Sequence, residues 1–317
     1  MASKPGAARA IKLGKDLAAE ALARRRGAEK TRKAAVARLV PPGPGKAAPP
    51  KATRGKLAAT LAMRAPARSA GTLICEGDSW FDYPFHDVLK QLEDGYAYEI
   101  ETVAHKGDCV EEMAYSGGQL DDFTRRVAKV LRSGVSPKAI LLSGGGNDIA
   151  GDEFAILLNH AASGTPGLNE SIVTGVIDER LFDAYVAILS AVNTICKHMV
   201  GRVVPVVLHG YDYPVPDGRG FGGGFGPLPG PWLEPGFRVK GYAAMDERKT
   251  HINSLIDRFN VMVGRVVKLP AFTNATHLDL RKTLSNGTDY KNWWANELHP
   301  TKKGFDLVAA RYAAVIG

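Results

Sequence analysis

Thr72-Leu73-Ile74-Cys75-Glu76-Gly77-Asp78-Ser79-Trp80 is the stretch that decides the fold. The short apolar run 72–75 leads straight into a Gly-Asp turn, the signature of a buried strand ending at a loop. The same texture returns at 98–104, 139–142, 203–208 and 276–280. Helical patterns fill the gaps, at 87–92, 118–131, 179–198, 242–267 and 303–316. Strands that alternate with helices imply parallel pairing through right-handed crossovers, hence a doubly wound α/β sheet with helices on both faces. In such a sheet ligands bind at the carboxyl ends of the strands. The polar and glycine motifs that follow strands all fall at that edge.

The chain has 317 residues, 45% of them hydrophobic and 23% charged, enough for one large α/β domain or two smaller ones. Its net charge of +8 divides unevenly. Residues 1–70 hold 17 Lys+Arg against 3 Asp+Glu, or +14, and the remainder holds 24 against 30, or −6. Two units are therefore expected: a basic Ala/Lys/Arg/Pro-rich arm over 1–70, largely disordered or marginally helical, and a globular domain over 71–317. A helix over 11–39 is compatible with the composition, but its apolar residues are mostly alanine, which bury little area. Pro41-Pro42-Gly43-Pro44-Gly45 ends any such helix. A tail of this charge suits an anionic partner, either a polymer or a membrane surface. No run of eighteen apolar residues exists to span a membrane, and no apolar signal core is seen near the N-terminus, so the cytoplasm is the expected compartment. The three cysteines, Cys75, Cys109 and Cys196, show no metal-ligand spacing, so neither a disulfide framework nor a structural zinc site is expected.

Four pieces carry the chemistry. Ser79 follows the first strand, where glycine permits a tight bend and a hydroxyl becomes nucleophilic once a base takes its proton. Gly107 follows the second strand and can offer its N–H with no side chain in the way. Gly144-Gly145-Gly146-Asn147-Asp148 follows the third. It lacks the Lys-Ser/Thr of a phosphate cradle, whereas the Asn147 amide suits a developing oxyanion. His299 precedes Pro300 and Thr301, with Thr301 the expected N-cap of the last helix.

In that order the four pieces resemble the blocks of the SGNH (or GDSL) hydrolase family, over roughly residues 71–317. The resemblance implies a flavodoxin-like three-layer α/β/α sandwich with a mostly parallel five-stranded sheet, and ester hydrolysis without metal or cofactor. It implies Ser79 as nucleophile and His299 as general base, with the Ser79 N–H, the Gly107 N–H and the Asn147 side chain as oxyanion donors. One position departs. The family usually carries aspartate three residues before the histidine, and here that residue is Asn296. Either Asn296 orients His299 without supplying charge, or a carboxylate such as Glu297 or Asp212 supplies it. In the serine-protease template the Asp-to-Asn change costs about 10⁴ in rate, because the wrong tautomer is favoured.

Aromatics gather near these motifs. Trp80, Tyr213 and Trp294 are the expected substrate-binding residues, chosen from a set that also includes Phe81, Tyr83, Tyr211, Trp232 and Trp293. The Gly/Pro-rich span 211–237 is expected to be a substrate-facing loop. Its Gly218, Gly220 and Gly223 form a GxGxxG by coincidence, with no strand before it or helix after it. The expected function is hydrolysis of small acyl esters, on a carbohydrate or a lipid, through an acyl-enzyme. The alternatives are a phosphodiester or thioester substrate, or a non-catalytic binding module on a hydrolase fold, tethered to an anionic partner by the arm.

Overall fold

A computed structural model describes residues 5–39, 69–115, 118–223 and 228–317. Strand β1 (Gly71–Glu76) lies between β2 (Tyr98–Thr102) and β3 (Ala139–Leu142), both parallel to it. Strands β4 (Val206–His209) and β5 (Ala275–Leu278) extend the sheet beyond β3, giving the order β2-β1-β3-β4-β5. Leu73 sits opposite Ile100 on one side and Ala139 on the other. Strands β3 and β4 are buried on both faces, as sheets covered by helices require.

Helices α1 (Pro5–Leu39), α2 (Val88–Tyr96), α3 (Val110–Tyr115), α4 (Gln119–Arg132), α5 (Phe182–Val200), α6 (Glu234–Val239), α7 (Met245–Val267) and α8 (Lys302–Ile316) complete the architecture. Helices α2 and α8 pack together as one outer layer, and α3, α4, α5 and α7 form the other. The result is a three-layer α/β/α sandwich on a five-stranded parallel sheet. From β1 the chain moves outward to β2, then crosses back to β3 on β1's other side. The loops leaving β1 and β3 therefore diverge, and a crevice opens between their carboxyl ends.

The third strand occupies the expected span 139–142. The fourth begins three residues later than its apolar run, because Pro205 has no N–H to add to the ladder and contributes only its carbonyl, to Ile140 N. Thr301 caps α8 as expected, its hydroxyl accepting from Gly304 N at 3.2 Å. A short antiparallel pair, Leu158–Asn159 with Gly167–Leu168, and a π-helical turn Thr174–Leu181 ahead of α5 have no counterpart in the sequence reading.

The N-terminal arm departs most from expectation. Its residues 5–39 form one helix, and from Gly6 to Leu22 that helix is docked rather than free, with Ala7, Ala10, Ala18, Ala21 and Leu22 buried. Residues 40–68 of the expected arm lie outside the described residues. Alanine buries little area by itself, but a stripe of small residues lets two backbones approach closely, and dispersion then accumulates along the contact. A Cβ built on Gly14 would lie 2.2 Å from the Ala187 carbonyl oxygen of α5. Helix α5 is the reason for the docking: it is apolar almost all round, with both its faces buried, so its outer face needs a cover. Arg24 adds an ion pair to Asp121 at 3.1 Å, and Arg25 donates to Thr124 Oγ1. The outward face displays Arg9, Lys12, Lys15, Arg26 and Lys30.

Gly14→Val is expected to lift α1 from α5 while the sheet stays folded. Trypsin would then cut at Arg24, Arg25 and Arg26 at least tenfold faster, and the unfolding transition of the remaining domain should move to lower urea as the apolar outer face of α5 is exposed.

Candidate active site

The site is built on a buried carboxylate. Asp78, directly after Gly77, is 2% exposed. Its Oδ1 lies 2.7 Å from Ser143 Oγ and accepts from Trp80 N at 3.0 Å, while its Oδ2 accepts from the Tyr211 hydroxyl. Ser143 Oγ is in turn 2.7 Å from His209 Nε2. This chain ties together the ends of β1, β3 and β4. Burial raises the carboxyl pKa of Asp78 against these hydrogen bonds, and lowers that of His209 to about 4. Gly77 is obligatory beside it, since a Cβ there would sit 2.7 Å from Ser143 Cβ and 2.8 Å from the Ser143 carbonyl. The turn so anchored leaves Ser79 half-buried at the crevice.

His299 reaches that serine from the far end of the chain. Its Nε2 lies 2.7 Å from Ser79 Oγ, and its Nδ1 lies 3.0 Å from Asn296 Oδ1. Asn296 is fully enclosed, and its amide orientation is decided by its neighbours. Two backbone N–H groups, Leu298 N at 3.0 Å and His299 N at 2.9 Å, point at one terminal atom, so that atom must be the oxygen. The other terminal atom, Nδ2, donates to the Tyr83 hydroxyl at 2.9 Å. With an oxygen facing it, His299 Nδ1 carries the hydrogen and Nε2 keeps its lone pair for Ser79 O–H. This is the tautomer a general base needs, and the one lost in the protease template when asparagine turns its NH₂ toward the ring.

Among the described residues, no carboxylate takes the missing position. Glu297 is turned away and accepts four backbone N–H groups: Gly218 at 2.9 Å, Trp232 at 2.6 Å, Leu233 at 2.7 Å and Glu234 at 3.0 Å. Asp212 accepts from Tyr213 N, Lys282 N and Leu284 N. Neither supplies charge to His299, which corrects that sequence alternative. The groups facing the ring are Ser79, Asn296, Tyr83 stacked at 4.1 Å between centroids, and Trp232 edge-on at 5.5 Å. Burial alone pushes the imidazole pKa down to about 3.

The loops that carry the oxyanion candidates are cross-linked to one another. Asn147 Nδ2 donates to the Asp108 carbonyl at 2.9 Å, leaving its second hydrogen, and Asp148 accepts from Val110 N at 2.9 Å. His105 N donates to the Gly77 carbonyl at 2.9 Å. Gly107, at φ +92°, takes the left-handed conformation glycine favours. Among the described residues, neither the Ser79 N–H nor the Gly107 N–H has a protein acceptor. Ser79 and Asn147 line one apolar cavity of about 40 Å³, walled by Ile149, Pro214, Leu233 and Ile256.

Of the three aromatics chosen from the sequence, Trp80 and Trp294 line this cavity but are core residues, 3% and 1% exposed, and Trp80 Nε1 donates to the Leu298 carbonyl at 3.1 Å. Tyr213 does not line it; its hydroxyl is spent on Asp257 Oδ1 at 2.6 Å. The span 211–237 does reach the site, through Trp232 against His299 and Phe221 against Tyr83.

The geometry can be set beside known proteins. No family model matches the chain, and no curated protein matches it. The solved structures it resembles include proteins described as an SGNH hydrolase, from Slackia heliotrinireducens, and a GDSL-like lipase, from Parabacteroides merdae. An acetylxylan esterase from Geobacillus stearothermophilus, a catalytic mutant, shares 14% identity at a TM-score of 0.44, covering 78% of this chain and 95% of that one. A protein from Bacteroides fragilis described as an acylhydrolase shares 14% at 0.41, covering 85% and 98%. A hydrolase from the metagenome of Lake Arreo shares 13% at 0.37, covering 78% and 96%.

Sequence reasoning named Tyr83 and Trp232 only as neighbours, and missed Ser143 and His209 altogether. Tyr83 lies four residues after the nucleophile, a spacing that says nothing until the turn is built. Glu297 was weighed for charge, whereas its partners are backbone groups some sixty or more residues earlier.

Glu297→Gln puts an NH₂ among N–H donors that need an acceptor. It is expected to cost about 2 kcal/mol in urea unfolding. Amide hydrogen exchange at Gly218, Trp232, Leu233 and Glu234 should quicken at least tenfold, with the sheet amides unaffected.

Proposed function

We propose that this chain is an SGNH-type serine ester hydrolase acting on short-acyl esters. The observation that carries the reading is the 2.7 Å contact between Ser79 Oγ and His299 Nε2, with the ring tautomer fixed by Asn296. Ser79 Oγ attacks the ester carbonyl carbon as its proton passes to His299 Nε2. The oxyanion forms against the Ser79 and Gly107 N–H groups and the free Asn147 amide hydrogen, donors of a kind that each contribute about 10²–10³ in rate. The tetrahedral species collapses, and the departing alkoxide takes the proton from His299. Water then attacks the acyl-serine, gives its proton to His299, and the acid leaves with Ser79 restored.

The cavity supports the substrate class. A space of about 40 Å³ has room for roughly three water-sized groups, enough for an acetyl or propionyl chain. A fluorophosphonate probe should label Ser79 in the native protein, and p-nitrophenyl acetate should be turned over, with both lost in Ser79→Ala. Absence of labelling together with no turnover on a broad ester panel would favour the binding-module reading instead.

The pH profile follows from the buried ring. A general base works in its neutral form, and an imidazole with a pKa of about 3 is neutral throughout the range above that value. The acid limb of kcat/KM is therefore expected near pH 3, not near the usual histidine value of about 6.5. In Asn296→Asp a carboxylate beside Nδ1 favours the imidazolium, so the ring pKa rises and the acid limb moves up. Because that charge also stabilises the transition state, kcat at pH 8 should rise, by about tenfold for each unit of pKa gained. A limb that stays in place or moves down in Asn296→Asp would contradict this assignment.

A further inference from the structure

We propose that Tyr83 is a positioning residue that performs, without charge, the two tasks a carboxylate would perform at His299: it helps to hold the base tautomer, and it steadies the imidazolium. The inference rests on the ester-hydrolase reading. Tyr83 belongs to the segment of the nucleophile, four residues beyond Ser79, yet it touches both other members of the catalytic set. Its hydroxyl accepts from Asn296 Nδ2 at 2.9 Å, which keeps the amide oxygen toward His299. Its ring lies flat against the imidazole, 4.1 Å between centroids and 17° between planes. When Ser79 gives up its proton, that imidazole becomes a cation in a site with no facing carboxylate. An aromatic face is attractive to such a cation, more so once water is excluded. Trp232 closes the ring's edge at 5.5 Å, and Phe221 and Phe305 hold Tyr83 in place at 5.7 and 6.1 Å.

The two tasks separate by substitution. Tyr83→Phe keeps the ring and loses the hydroxyl. Asn296 Oδ1 is still fixed by two backbone N–H groups, so kcat should fall only about threefold. Tyr83→Leu loses both, and kcat should fall about thirtyfold with KM within a factor of two. The decisive measurement repeats Tyr83→Leu in an Asn296→Asp background. There the carboxylate supplies the missing charge, so the loss should shrink to about threefold. An equal loss in both backgrounds, or none in either, overturns the proposal while leaving the hydrolase reading intact. The second readout needs no turnover. In ¹⁵N NMR the native His299 should show the Nδ1–H tautomer, and Tyr83→Phe and Tyr83→Leu, which both lack the acceptor for Asn296 Nδ2, should each mix in a minor Nε2–H form. If the native chain hydrolyses no ester, the functional reading fails; an unchanged tautomer in Tyr83→Leu then removes the positioning role as well.

Discussion

Everything in the site turns on the orientation of one side-chain amide. Asn296 Oδ1 accepts from Leu298 N, His299 N and His299 Nδ1, and its Nδ2 donates to Tyr83. Two of these contacts have only one possible polarity, because backbone N–H groups can only donate, and they set the other two. The amide therefore has no freedom to flip, and its fixed oxygen sets the tautomer of His299, which sets the direction of the bond to Ser79. An aspartate would satisfy the same three donors. What asparagine gives up is the charge, and the loss of geometry that accompanies the same replacement in the protease template does not arise.

Beneath Ser79 a second polar cluster does the corresponding work. Asp78, Ser143, His209 and Tyr211 join the ends of three neighbouring strands, at a depth where an unpaired polar group would cost several kcal/mol. Trp80 stacks on His209 at 5.3 Å and meets Tyr211 edge-on at 5.2 Å, so the polar chain is roofed by an aromatic ring. Position is thereby imposed on Ser79 from below by the sheet and on His299 from above by the 296–299 segment. The two meet without either being adjustable.

The architecture was legible because parallel strands buried on both faces leave bare apolar runs, as at 139–142, and because glycine and asparagine collect where such strands end. The four motif pieces were legible for the same reason: each is local. What escaped the sequence was relational. The docking of α1 depends on a match between a stripe of small residues, with Gly14 against Ala187, and an α5 too apolar to stand uncovered. The all-round hydrophobicity of 182–200 was the available signal. Trp80 and Trp294 were chosen as substrate contacts from their position beside motifs, yet bulky rings next to a strand end are as well placed to fill the core, and these do. The role of Tyr83 depends on the path of the turn after Ser79, which no periodicity encodes.

The tetrapeptide Asn296-Glu297-Leu298-His299 shows why the departure from aspartate is tolerable. Each of its residues holds a different wall of the site. Asn296 fixes the His299 ring, and Glu297 gathers four N–H groups of the loop that carries Trp232. The Leu298 carbonyl takes the indole N–H of Trp80, next to the nucleophile. Placing a second carboxylate at 296 would put two like charges on adjacent buried residues, and each would raise the penalty for ionising the other. With Glu297 already ionisable and deeply buried, a neutral residue at 296 avoids that penalty and still presents an oxygen to the ring. The carboxylate of this segment serves the loop, the amide serves the imidazole, and the loop in turn sets Trp232 against the ring it does not charge.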